Sequence, residues 1–281
     1  MSDNDKLLEI ARRAAAEGAY LLSTADPGKV SAKSERDFVT ELDVTIERTL
    51  SQILEAKTPE IRFVGEESIQ ELDLGQRVSG LAWVLDPIDG TSNFIHGIPL
   101  CAVSLALLQD GSPIMGVINA PFLSLEYFAM QRRGAFANEK PITTGRSEQL
   151  HNSIISIGDY AVGANARYKN AQRISLTSAL AANVERVRMF GSAALDLAWV
   201  AEGRTDGCII MSNNPWDTAA GVLIARESGA IVTDSDGSDH TAHARHTIAA
   251  NPAISRQLVR LIASVENEHH GRHGLDFQSE Y

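Results

Sequence analysis

With 281 residues the chain is long enough to bury a large core, as one domain or as two closely packed halves. A composition of 44% hydrophobic and 22% charged residues belongs to an ordinary globular protein and excludes a disordered or fibrous chain. The formal net charge of -11 argues against a nucleic-acid-binding surface, which would need clustered Lys and Arg.

Cys101 and Cys208 each sit in an apolar run without a basic neighbour. They read as buried small hydrophobes in a reducing compartment, not as functional thiols. Charges at Glu9, Arg12, Arg13 and Glu17 interrupt the opening segment, so it does not read as a signal peptide. No stretch is apolar for long enough to span a bilayer. A cytoplasmic protein with no membrane or nucleic-acid partner is expected.

In chain order, Leu7, Ile10, Ala14, Leu21 and Leu22 fall near helical spacing, and Asp26-Pro27-Gly28 ends that first helix. A second helix is expected from about Thr40, with Ile46, Leu50 and Leu54 on one face, stopped at Thr58-Pro59. Ile61–Gly65 and Leu81–Leu85 read as short strands, each running into acid: Glu66-Glu67 and Asp86. Val103–Leu108 and Ile114–Ile118 read as a hairpin around Gln109-Asp110-Gly111, followed by a strand at Leu125–Met130 and a turn at Asn138–Pro141. From about His151 the pattern changes to alternating strands and helices. The strands are expected at Ile154–Ile157, Cys208–Met211, Ile231–Thr233 and Thr247–Ala250. The helices are expected at Ser192–Glu202, Thr218–Ser228 and Ile254–Glu266. The boundaries are therefore an N-terminal α+β half over 1–150, a C-terminal α/β half over 151–266, and a loose polar tail over 267–281.

The most informative stretch is Trp83–Phe94 (WVLDPIDGTSNF). A buried strand meets Asp86-Pro87, then Asp89-Gly90-Thr91; the proline fixes the turn, and the glycine frees the backbone so that both carboxylates can converge. Converging acids repel unless a cation lies between them, and hard divalent cations take such oxygen ligands. An isolated Asp-Pro-x-Asp-Gly is more often a plain surface turn. Asp217, at a helix start in Pro215–Gly221, reads by default as a helix cap, a position compatible with a metal-ligand role. Asp234–Ser238 resembles a calcium loop, but its glycine is misplaced, so it reads as a turn. His240, His243 and His246, with His269, His270 and His273, read as solvated polar residues rather than a metal site.

Taken together, Gly65-Glu66-Glu67-Ser68, Asp86–Phe94, Gly191-Ser192-Ala193-Ala194 and Trp216-Asp217 resemble the inositol monophosphatase family in order and spacing, as does Lys33-Ser34 with Asp37–Asp43. The likeness runs from about Leu7 to Ile262. It implies a layered α-β-α-β-α sandwich of the inositol monophosphatase/fructose-1,6-bisphosphatase type, usually a homodimer, dependent on Mg2+ and often inhibited by Li+. Carried over, Glu66, Asp86 and the carbonyl of Ile88 would hold one metal, and Asp86, Asp89 and Asp217 a second; Glu66 would also help a looser third. Thr91, oriented by Asp43, would position and help deprotonate the attacking water, and the N–H groups of Gly90 and Thr91 would hold phosphate oxygens. Gly191, Ser192 and Ala193 would contact the alcohol part, although Ser192 is also explained as a helix cap. Lys33 and Glu67 would lie just outside the metal cluster; an exposed lysine flanking a helix is the plainer reading of Lys33.

One position departs from the family pattern. Inositol-selective members carry a glutamate seven residues before the Trp-Asp aspartate, and here that residue is Ile210. The resemblance therefore implies hydrolysis of a small phosphorylated alcohol, inositol monophosphate first. Fructose-1,6-bisphosphate or histidinol phosphate is the alternative, and a mainly protein-binding regulatory role is the reading from outside enzymology. Glu66, Asp86, Asp89 and Asp217 speak against that last reading, since a scaffold needs none of them.

Overall fold

The structure, a computed structural model, describes residues 3–68, 80–163 and 165–276. Helix α1 (Asp3–Thr24) leads to a hairpin of β1 (Val30–Ser34) and β2 (Asp37–Thr40), and then to α2 (Glu41–Lys57). Thr40 and Asp43 form a reciprocal capping box that fixes where α2 begins. At its other end Thr58 Oγ1 donates to Leu54 O at 2.7 Å and accepts from the buried Trp83 Nε1 at 3.0 Å. That contact gives the indole N–H the partner a buried Trp requires.

A seven-stranded sheet follows in sequence order: β3 (Arg62–Gly65), β4 (Leu81–Asp89), β5 (Ala102–Gln109), β6 (Ser112–Ala120), β7 (Leu125–Met130), β8 (Ala135–Ala137) and β9 (Lys140–Ile142). Strands β3 and β4 are parallel, and every later pair is antiparallel. The short helix α3 (Thr91–Ile95) lies between β4 and β5. The remaining elements are β10 (Ile154–Ile157), α4 (Ala166–Asn183), β11 (Arg186–Arg188), α5 (Ala193–Glu202), β12 (Gly207–Ile210), α6 (Pro215–Glu227), β13 (Ile231–Thr233), β14 (Thr247–Ala250) and α7 (Ser255–Asp276). The five strands among them form a second, mixed sheet in the order β11-β10-β12-β14-β13. No helix among the described residues is long and apolar enough to cross a membrane.

Both faces of the first sheet are buried, and side-chain alternation sorts its residues. Along β5, Val103, Leu105 and Leu107 face a core shared with α1 and α2, whereas Ala102, Ala106 and Leu108 face one shared with α5 and α6. Other side chains of α5 and α6 pack on the second sheet, whose far face is covered by α4 and α7. The five layers are thus α1/α2, sheet, α5/α6, sheet, α4/α7, the α-β-α-β-α order expected.

Several boundaries differ from the sequence expectation. The strand expected to stop at Leu85 continues through Pro87 to Asp89, because a bulge absorbs the proline. Helix α6 starts at Pro215, with Asn214 at the N-cap, so Asp217 sits inside the first turn and is not the cap. Helix α4 lies in a stretch to which no element was assigned; only Leu176 and Leu180 are buried on it, so its apolar periodicity is faint. The segment expected to be loose from Asn267 onward is helical to Asp276, and 277–281 lie outside the described residues. His240 is not solvated: it is buried, with Nε2 beside Asn213 Oδ1 and Thr247 Oγ1, and burial lowers its pKa to about 4. Asp234–Ser238 is a turn, as expected.

Close approach of α6 to the first sheet depends on a missing side chain. A Cβ at Gly116 would stand 2.7 Å from the backbone oxygen of Ala220, an atom that cannot swing aside. Gly116→Val is expected to destabilise the fold by roughly 1–3 kcal/mol or more through overpacking. Chemical denaturation checks this, and an unchanged midpoint would contradict the packing described.

Candidate active site

The bulge in β4 creates the site. Asp86 pairs with Ser104 and Asp89 with Ala102, so two residues of β4, Pro87 and Ile88, face the single Val103 of β5. In an unbroken strand, residues three apart point to opposite faces. The extra residue restores phase, and both aspartates point to the side of the sheet where α5 and α6 begin. Next door, Glu66 N donates to Leu85 O at 3.1 Å, which continues the parallel pairing and brings Glu66 alongside Asp86.

Ligand atoms of Glu66, Asp86 and Asp217 lie within 4.8 Å of one another. Asp86 is buried, with Oδ1 accepting from Ile88 N at 2.9 Å; Asp217 Oδ2 accepts from Asn214 Nδ2 at 3.0 Å. Burial, and then the charges of Glu66, Asp89 and Asp217, hold the Asp86 carboxyl well above the usual range. Burial, followed by Asp89 and Glu66, raises Asp217 to about 8. Lys33 is the nearby cation, with Nζ 2.8 Å from Glu66 Oε1 and 2.5 Å from Glu67 Oε1. It therefore lies against the acid cluster, and the plainer surface reading does not hold. Glu67 is nevertheless raised to about 7, chiefly by burial.

Asp89 faces the same region but is differently engaged. It accepts from Ser192 Oγ, from Ala193 N at 3.2 Å and from Ala194 N at 2.9 Å, and so closes the start of α5. Burial raises its pKa to about 6 against the lowering effect of those bonds. Ser192 is also the N-cap, accepting from Leu195 N at 3.2 Å, so the cap reading and the site reading both apply to it. A carboxylate offers about four acceptor positions, so Asp89 retains capacity for a further partner.

Thr91 Oγ1 lies 3.0 Å from Ile88 O and 3.3 Å from Asp43 Oδ1. Asp43 is itself buried and held by Thr40, with burial raising its pKa. Gly90 caps α3 at φ 94°, and a Cβ there would stand 2.8 Å from Leu100 O, so the turn into α3 requires glycine. Ile210, buried at the end of β12, lines the same cavity of about 330 Å³ as Glu66, Asp89, Thr91 and Ser192.

Three supporting residues receive no role from the sequence alone. Asn93 Nδ2 donates to Leu100 O and Phe190 O, both at 2.7 Å, and ties α3 to the approach to Gly191. Buried Glu47 accepts from Glu67 N at 2.8 Å and fills the space beside Gly65. Asn214 holds Asp217 as described. Asn93 stands inside the motif and was legible there; Glu47 and Asn214 carry no signal without the fold.

The donor set fits hard divalent cations: oxygen ligands only, converging in a partly buried cavity and repelling one another without positive charge. Fold and site together define a layered α/β protein with a carboxylate centre suited to divalent cations, and comparison with known proteins supplies the class. The profile of the inositol monophosphatase family matches residues 3–270. The chain is 36% identical over 233 residues to the Inositol-1-monophosphatase ImpA of Mycolicibacterium smegmatis, covering 83% of this chain and 82% of that one. It is 33% identical over 237 residues to the Fructose-1,6-bisphosphatase/inositol-1-monophosphatase of Thermotoga maritima, covering 84% and 87%. The crystal structure of the extragenic suppressor protein suhB from Bartonella henselae superposes with a TM-score of 0.83 at 32% identity, covering 92% of this chain and 98% of that one. The chain belongs to the inositol monophosphatase family, a metal-dependent family of phosphoric monoester hydrolases.

The raised carboxyls set a sign for pH dependence. A folded-state pKa of about 8 for Asp217, above the ordinary 3.8, means that ionisation opposes folding, so this contribution to stability is lost as pH rises through 8. Without divalent cations the melting temperature is expected to fall from pH 6 to pH 9, and Mg2+ is expected to relieve that fall and release protons at pH 7. Calorimetric Mg2+ titrations in buffers of different ionisation enthalpy check this; identical heats would contradict it.

Proposed function

We propose that the protein hydrolyses a small phosphate monoester by in-line attack of water, with inositol monophosphate the first substrate to test and two or three Mg2+ ions per subunit as cofactor. The convergence of Glu66, Asp86 and Asp217 in one cavity carries this reading. Glu66, Asp86 and the carbonyl of Ile88 would hold one ion, and Asp86, Asp89 and Asp217 a second. Bound there, Mg2+ lowers the pKa of water and stabilises attacking and leaving oxygens.

The chain's own groups do the rest. Thr91 donates its hydroxyl hydrogen toward Asp43 and presents an oxygen lone pair to the nucleophilic water. Asp43, raised by burial, is the better proton acceptor for it. The N–H groups of Gly90 and Thr91 hold phosphate oxygens. Gly191, Ser192 and Ala193 border the alcohol part, and Asp89 fixes them relative to the cluster through its three bonds to that segment. Lys33, bound to Glu66 and Glu67, limits the excess negative charge.

The halves 1–150 and 151–266 are the working division, because the cavity draws on both. A homodimer is supported by large apolar side chains exposed on and near α4, such as Tyr160, Val162 and Ile174. Buried free thiols at Cys101 and Cys208 suit a reducing, cytoplasmic setting. The double name of the Thermotoga maritima relative keeps fructose-1,6-bisphosphate in the substrate panel.

Asp217→Asn and Thr91→Ala separate the roles. Asp217→Asn is expected to weaken Mg2+ binding and reduce turnover by several orders of magnitude, since a charged ligand is lost. Thr91→Ala should keep the fold and Mg2+ affinity yet lose roughly 10²–10⁴-fold in kcat, the range of a general acid–base contribution. Steady-state kinetics with Mg2+ titration checks both. Near-normal turnover in folded Asp217→Asn, or a Thr91→Ala defect rescued by excess Mg2+, would contradict these assignments.

A further inference from the structure

The far wall of the cavity is built from the ends of β10 and β12. Gly158 N donates to Ile209 O at 2.9 Å, so the exits of the two strands stay paired where the cavity begins. Arg173 reaches this place from α4: one terminal nitrogen donates to Asp159 O at 2.5 Å and the other to Met211 O at 3.0 Å. Its guanidinium is thereby fixed beside Ile210, and Arg173, Asp159, Ile210 and Met211 line the cavity that also contains Asp86 and Asp217.

Two backbone bonds leave three of the five guanidinium N–H groups for other partners. None of the ion pairs among the described residues involves Arg173. Asp159 is the one carboxylate that raises the Arg173 pKa, and it does so at longer range; burial outweighs it and lowers the value. The group is a half-buried cation whose one opposing carboxylate, Asp159, is exposed and makes no ion pair with it. Its neighbour Ile210 is aliphatic and supplies no acceptor. The other polar side chains at this end are Asp159, which is exposed, Ser212, and Asp196, which is buried and whose carboxyl burial pushes well above the usual range. Neither Asp159, Ser212 nor Asp196 forms an ion pair with the guanidinium.

We infer that Arg173 is the specificity-determining residue of the alcohol end of the cavity, and that the preferred substrate is a phosphate monoester whose alcohol part carries a second anionic group. This inference rests on the phosphatase reading and narrows its substrate class. A guanidinium fork held rigidly by its own chain pairs with planar carboxylate or phosphate oxygens at little cost in side-chain entropy. A polyol without charge leaves that cation unpaired at the bottom of a cavity, which costs affinity. The second anion is a phosphate or a carboxylate, and the two are told apart by the substrates used.

The test compares kcat/KM at saturating Mg2+ for fructose 1,6-bisphosphate and 2-phosphoglycerate, which carry the second anion, with inositol 1-phosphate and glycerol 2-phosphate, which do not. The expected result is that at least one anionic ester exceeds both neutral ones by 10-fold or more. The one that does so identifies the second anion as phosphate or carboxylate. In Arg173→Met the ratio of anionic to neutral kcat/KM is expected to fall roughly 10²-fold, mostly through KM, and Arg173→Lys is expected to recover part of it. If the wild-type enzyme cleaves the neutral esters as well as the anionic ones, the inference is overturned while the phosphatase reading stands. A uniform loss across all four esters in Arg173→Met would also overturn it, because that is the signature of a clamp on β10 and β12 alone. The wild-type comparison holds even if Arg173→Met does not fold. Absence of Mg2+-dependent phosphate release from every ester would overturn the phosphatase reading itself.

Discussion

The constraint on which the site depends is the mutual repulsion of carboxylates held in a cavity. Glu66, Asp86 and Asp217 approach within 4.8 Å, from the end of β3, the bulge of β4 and the first turn of α6. Such proximity costs free energy in an otherwise well-packed protein, and the raised values at Asp86 and Asp217 express that cost. Folding tolerates it because each acid sits on an element fixed by larger forces: a sheet buried on both faces and a helix packed against that sheet through Gly116. A hard cation bound there would convert the cost into affinity.

The register of β4 links sequence to that arrangement. Were this sequence an unbulged strand, Asp86 and Asp89 would face opposite sides of the sheet, one toward α1 and α2 and the other toward α5 and α6. The bulge brings both to the α5/α6 side, where Asp89 closes the start of α5 and Asp86 meets Asp217. Asp89 thereby couples the start of α5 to the acid cluster. The Thr40–Asp43 capping box does the same for Thr91: it starts α2 and also aims Asp43 at the Thr91 hydroxyl. Structural and chemical roles share the same atoms in both cases.

Much of this was legible in the sequence, for physical reasons. Trp83–Phe94 is by itself more often a surface turn, and it gained weight from the company of Glu66, Glu67 and Asp217 at other predicted element ends. The β5–β6 hairpin was readable from Asp110-Gly111, both at positive φ in the structure. Helix α4 was not, because it packs by little more than Leu176 and Leu180 and its remaining surface lacks periodicity. Glu47, Asn214 and Arg173 were also beyond reach: each acts through a partner distant in sequence or through a backbone atom, and composition does not record either. Asp217 as a helix cap was a reasonable expectation from its place after Trp216, but Pro215 starts the helix earlier and leaves the carboxylate inside the first turn.

We propose that these acids form a divalent-cation site at which a phosphate ester is cleaved. Anomalous diffraction from crystals equilibrated with Mn2+ in place of Mg2+ tests it most directly. Mn2+ is expected between Glu66, Asp86 and Asp217, with Lys33 displaced from Glu66 or sharing it with the ion. Mn2+ bound only elsewhere, with the three carboxylates still in mutual contact and Lys33 still paired to Glu66 at saturating metal, would contradict it.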